Sequence, residues 1–190
     1  MTVLSFMIAL VYVFEIVNRA LPLRVPWGMS IDFVALPVMI AFFVLGTRYA
    51  LATGVGMYLI LIIFGFANFV GATMKFASTI AMVLVLGLFV YVWSKKRGSP
   101  TLPLLLVLPA SALALAARCL VAAFLNYYWA IPIFLAMPIE DVINTMFFGS
   151  IWGFLAFVSS MNLVQGAIDL ALSWTISFGF LRRERPAPAT

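Results

Sequence analysis

The amino-acid sequence predicts an all-α integral membrane protein, with six transmembrane helices in one bundle and both termini in the cytoplasm. Of its 190 residues, 66% are hydrophobic and 9% charged. A soluble domain needs roughly a quarter of its residues charged to cover its surface. Six apolar stretches alternate with short polar or proline-bearing breaks. Lysine and arginine gather in alternate breaks, the bias that orients membrane proteins. Six spans of about 20 residues use about 120, leaving short loops and tails, so residues 1–190 are expected to form a single transmembrane domain.

The first stretch runs from about Val3 to Leu21 and ends at Arg19, Pro22, Arg24 and Pro26. No basic region or small-residue cleavage site marks the start, which reads as a retained span and not a signal peptide. The second runs from about Phe33 to Leu45 and closes at Gly46-Thr47-Arg48, and the third covers about Tyr49 to Phe66. The fourth covers about Val70 to Trp93, before Ser94-Lys95-Lys96-Arg97-Gly98-Ser99-Pro100. The fifth runs from about Leu102 to Tyr128, with Pro109 a candidate kink, and the sixth from about Ser160 to Leu181, before Arg182-Arg183-Glu184-Arg185. The segment Trp129–Ser159, with Pro132, Pro138, Glu140, Asp141, Asn144, Gly149 and Gly153, is expected to be an outer loop that partly re-enters or lies at the interface. A seventh short span there is the alternative, and it would put the C-terminal arginines outside. The tail at 186–190 is expected to be disordered.

With both termini inside, the inner breaks hold Arg48, Lys95, Lys96, Arg97, Arg182, Arg183 and Arg185, and the outer ones only Arg19 and Arg24. Asp32, Glu140 and Asp141 fall outside. The net charge of +5 is thereby a matter of topology, and no nucleic-acid partner is implied. There is no histidine, and the single cysteine, Cys119, can build neither a disulfide framework nor a thiolate metal site. No GxxxxGK[ST], HExxH or GxSxG motif and no paired intramembrane aspartates occur, so an enzyme has little to rest on and no metal site is expected.

Ionisable groups within spans cost about 3 kcal/mol unless paired or solvated. Asn162, Gln165, Gly166 and Asp169 are spaced i, i+3, i+4 and i+7 and share one face of the sixth span, which must look into the bundle. Such amides can read the edge of a polar heterocycle, or they can hold helices together. Arg118 lies eight residues inward of Asn126, and Asp169 seven inward of Asn162. If the two asparagines share a depth, Arg118 and Asp169 do too, and a buried structural ion pair is expected. Lys75, Ser78 and Thr79 lie at i, i+3 and i+4 on the fourth span, in its outer half. Lys75 there can contact a ligand or snorkel outward. Glu15, inside the first span, takes no role from the sequence. Trp27, Asn126-Tyr127-Tyr128-Trp129 and Trp152 collect at the outer end, as an interfacial belt or as stacking surfaces for a planar ligand. Ser5 and Ala9 form a small-xxx-small pair on the first span, which permits close helix contact.

Four segments in this order resemble the substrate-binding S components of energy-coupling-factor (ECF) vitamin transporters, most closely the riboflavin type. They are Ile31-Asp32-Phe33-Val34-Ala35-Leu36-Pro37 with Gly46, Lys75-Phe76-Ala77-Ser78-Thr79, Asn126-Tyr127-Tyr128 with Pro132, and Asn162-Leu163-Val164-Gln165-Gly166. The resemblance spans about Ser5 to Leu181. It implies that Asn126 and Asn162 bind a flavin ring, that Gln165 stands where the family has lysine, and that Ser5 and Ala9 dock on a transmembrane coupling subunit. Gln165 can hydrogen-bond a carbonyl oxygen but supplies no charge. With the residues read above, the candidate substrate-binding set is Asn126, Asn162, Gln165, Lys75, Thr79 and Tyr127. The implied partners are riboflavin or a related flavin, membrane lipid, the coupling subunit and two ATPases on separate chains. Riboflavin enters as transported ligand and no cofactor is expected. The implied function is capture of the vitamin from outside a cell membrane and delivery inward as ATP hydrolysis topples the bundle. Three alternatives stand beside it: an S component for another vitamin, a structural membrane protein without ligand, and an intramembrane enzyme using Asp169.

Overall fold

A computed structural model describes residues 2–20, 23–24, 30–65, 68–98 and 103–183 of the chain. Trp27 and the tail at 186–190 lie outside the described residues. Among the described residues, five helices are long and apolar enough to cross a membrane.

Helix α1 (Thr2–Ala20) buries Met7, Val11 and Glu15, one stripe at i, i+4 and i+8, and turns Phe6, Tyr12, Val13 and Ile16 outward. Its 19 residues make about 28 Å of helix, close to the hydrocarbon thickness. A two-residue ribbon follows, β1 (Leu23–Arg24) antiparallel to β2 (Ser30–Ile31). Helix α2 (Leu36–Leu45) begins where Pro37 in the first turn needs no N–H partner. It ends at Gly46, whose φ of +94° lets the chain reverse into α3 (Thr47–Phe64). At ten residues α2 is about 15 Å long, too short to cross alone. It is apolar all round because it is enclosed all round: Leu36 to Phe42 are all buried. A short helix at membrane depth is tolerated in that setting.

Helix α4 (Asn68–Arg97) carries Lys95, Lys96 and Arg97 in its last turn, where cations complement the helix dipole. Helix α5 (Leu104–Leu125) runs through Pro109 without ending and passes into a π turn, Asn126–Ala130. There the Ile131 N–H donates to the Asn126 carbonyl, five residues back. Pro132, at the start of α6 (Ile131–Leu135), explains the widening, because its ring would clash with the carbonyl of Tyr128 and it has no N–H to offer.

The expected outer loop Trp129–Ser159 is corrected here. The fifth helix continues to Leu135, helix α7 (Ile139–Met146) follows, and α8 (Ile151–Arg183) starts nine residues before the expected Ser160. No seventh span forms among the described residues, since α7 has eight residues. Phe148 (φ +52°) and Gly149 (φ +75°) turn the chain. Ser150 then caps α8, its Oγ accepting the Gly153 N–H at 3.1 Å. A serine in this position satisfies one of the orphan amides of a helix start. Helix α7 has Glu140 and Asp141 in its first turn and lays Ile139, Val142 and Ile143 against Ala122, Phe154 and Val158.

The helices pack α1 on α2 and α3, α3 on α4, α4 on α5, α5 on α8, and α8 back onto α2. Fully buried Ala50, Ala72, Ala110 and Ala114 line the main core with Val38, Met39, Met57, Met82 and Val83. Such small side chains let membrane helices approach closely. The helices also approach closely at Gly166 of α8, where a Cβ would stand 2.7 Å from Leu115 Cδ2 and 2.8 Å from Arg118 Cδ.

Candidate functional site

Residue pairs in contact give the relative heights of the helices. Phe69 meets Trp129 and Arg118 meets Met82, so α4 and α5 run antiparallel. Tyr127 meets Phe154, and Leu115 meets Gly166, so α5 and α8 do the same. In that register Asn126 is level with about residue 155 of α8, and Asn162 lies seven positions deeper, about 10 Å at 1.5 Å per residue. The shared depth expected for the two asparagines is therefore corrected. The expectation took Asn162 to be near the start of its helix, whereas α8 begins eleven residues earlier, at Ile151. Lys75 and Thr79 fall between the two levels.

Asn126 donates from Nδ2 to the Ala122 carbonyl at 2.8 Å, and Asn162 from Nδ2 to the Val158 carbonyl at 2.9 Å. Each bond runs four residues back along its own helix, fixes the rotamer, and leaves the amide oxygen and second N–H outside that bond. Ala122 and Val158 belong to one apolar cluster, against which Tyr127 packs with its ring 6.0 Å from Phe154. Asn162 is buried and Asn126 half-buried.

Below Asn162 a chain of polar groups crosses the bundle. Gln165 holds the backbone of Asp32, just before α2, by two bonds: Oε1 accepts the Asp32 N–H at 3.1 Å and Nε2 donates to the Asp32 carbonyl at 2.7 Å. Nε2 also donates to Asp169 Oδ1 at 2.9 Å. Both N–H groups of Gln165 are thus engaged within the protein. The arrangement has a local cause. Leu36 N–H bonds the Phe33 carbonyl three residues back, so the Asp32 carbonyl has no helical partner and the side-chain amide takes it. One turn further in, Ser173 Oγ donates to the Leu36 carbonyl at 3.3 Å.

The chain of groups ends in an ion pair on each side. Lys75 Nζ of α4 pairs with Asp32 Oδ1, which also accepts the Val34 N–H at 3.0 Å. Arg118 Nη1 donates to Asp169 Oδ2 at 3.2 Å and contacts Met82 Sδ at 3.4 Å. Gly166 makes room for the arginine stem to reach inward along α8. Thr79 is fully buried, and its Oγ1 has no hydrogen-bond partner among the described residues. Ser5 and Ala9 face outward from α1.

Asp32 is the member of this constellation that sequence reasoning missed as a bonded side chain. In the sequence its charge bears only on topology and its position only on the family pattern. A usable signal was present: Lys75 inside an apolar helix requires a counter-charge, and Asp32 is the acid just before the apolar stretch of α2. Glu15 was likewise unassigned. It is buried on α1, with Arg19 Nε 3.5 Å from its carboxylate.

No family model matches the chain, and no curated protein matches it. Among solved structures, one described as the S component of a bacterial ECF transporter shares the fold. It superposes with a TM-score of 0.71 over 97% of this chain and 96% of that one, at 14% sequence identity.

Proposed function

We propose that the chain is the membrane-embedded substrate-binding subunit of an ECF-type transporter, and that its ligand is riboflavin or a close relative. The observation that carries the reading is a fold common, end to end, with a bacterial S component. The flavin assignment rests on the two motifs that hold Asn126 and Asn162, one on each wall of the α5–α8 pair. Their separation of about two helical turns suits an elongated planar heterocycle. Lys75 and Thr79 lie between them in height, and Tyr127 offers an aromatic face at the outer end.

In this reading the five long helices, with the short α2 completing a sixth crossing together with the segment before it, carry the chain across the cell membrane with both termini inside. Ser5 and Ala9, on the outward face of α1, dock on a coupling subunit, and two ATPases on separate chains supply the energy. The protein itself performs no chemistry. The competing reading, polar groups for helix packing alone, draws support from Gln165, whose two N–H groups are both engaged internally.

Titration of purified protein with riboflavin, followed by flavin fluorescence quenching, tests the proposal. Asn126→Ala and Asn162→Ala are each expected to raise Kd by about tenfold or more, the worth of one good hydrogen bond. Absence of riboflavin binding removes the flavin assignment. Binding that survives both changes moves the site elsewhere.

A further inference from the structure

The two ion pairs differ in how far they are sealed. Arg118 and Asp169 have side chains 3% and 0% exposed, against 14% and 7% for Lys75 and Asp32. Lys75 is therefore the more accessible cation, and it sits at the outer end of the polar chain, between the levels of Asn126 and Asn162. Its partner is held in place from three directions. Gln165 clamps the Asp32 backbone on both its N–H and its carbonyl, and the Val34 N–H binds the same carboxylate oxygen that meets Lys75. Among the described residues a third ion pair, Glu15 with Arg19, is on α1.

We infer that Asp32 is a built-in counter-ion that sets the charge class of the ligand: by occupying Lys75 it admits uncharged molecules and rejects those with a carboxylate or phosphate. The inference rests on the ligand-binding reading above. An anionic ligand would compete for Lys75 against a carboxylate already fixed in position, which loses little freedom on pairing. It would also bring an unmatched charge into a set of two cations and two anions, where desolvation is not repaid. A neutral hydrogen-bonding molecule meets neither obstacle. Lys75 and Asp32 are thus specificity-determining residues even without touching a neutral ligand.

Asp32→Asn tests this, since the amide oxygen still accepts the Val34 N–H while the charge is lost. Wild-type protein is expected to bind riboflavin at least tenfold more tightly than riboflavin 5′-phosphate. In Asp32→Asn, affinity for the phosphate ester rises by roughly tenfold to a hundredfold, the span of one charge-assisted bond. In the double variant Asp32→Asn/Lys75→Met that gain disappears. A second arm needs no vitamin: sodium formate, against chloride at equal ionic strength, raises the Tm of Asp32→Asn but not that of wild type or the double variant. Asp32→Asn without gained anion affinity and without formate rescue overturns the inference. Formate rescue together with no flavin binding by any variant supports the counter-ion and overturns the flavin assignment instead.

Discussion

Replacing Arg118 with methionine removes the cation from Asp169 Oδ2 and leaves Oδ1 on the Gln165 amide at 2.9 Å. Asp169 is completely buried, so its charge has no solvent to fall back on. Breaking a buried pair from one side costs about 3–5 kcal/mol, whereas replacing both charges with neutral groups of similar size is often close to neutral. At this chain length each kcal/mol moves Tm by about 2–4 °C. Arg118→Met is therefore expected to lower Tm by about 6–20 °C. Arg118→Met/Asp169→Asn keeps an acceptor for Gln165 and removes both charges, and its Tm returns to within about 4 °C of wild type. Thermal unfolding in one detergent or nanodisc preparation, followed by tryptophan fluorescence, measures both. A single variant as stable as wild type, or a double variant as unstable as the single, would refute the argument that paired charge is what these residues contribute.

Gln165→Leu strands the Asp32 N–H and carbonyl together, at about 1–3 kcal/mol each, and is expected to speed hydrogen exchange at Asp32 to Val34 as well as lower Tm. Ser150→Ala removes the α8 cap at about 0.5–2 kcal/mol, while Ser150→Asp retains it; exchange at Gly153 separates the two. Phe148 holds a left-handed backbone with its ring 96% exposed, so Phe148→Gly loses no packing and relieves about 1 kcal/mol of strain. It is expected to raise Tm by about 2–4 °C. No gain there would mean that glycine's added freedom in the unfolded chain cancels the relief.

The helical class and the long apolar spans were legible because hydrophobic length is a one-dimensional property. The Asn126 end of the α5–α8 pair was not. Pro132, Pro138 and Gly149 read as breaks, yet a π turn absorbs the first and the helix continues past it. The Ser150 cap was a readable signal that a proline- and acid-rich neighbourhood masked. The polar stripe on α8 follows from helical spacing alone, whereas the Arg118–Asp169 pairing rests in the sequence on an equal depth of Asn126 and Asn162, which the register of the helices does not show, although the pair itself forms. The clamp of Gln165 on Asp32 joins residues 133 positions apart through a backbone group. Side-chain spacing does not encode such a contact, because the need arises from the Leu36 N–H having bonded elsewhere.

The Arg118–Asp169 pair also constrains how the protein is made. Its partners are 51 residues apart, so α5 leaves the ribosome before the aspartate that neutralises its arginine has been synthesised. Until then a guanidinium sits in or beside the bilayer at about 2.5–3.5 kcal/mol. That cost is carried by α5 alone until α8 brings the aspartate to it.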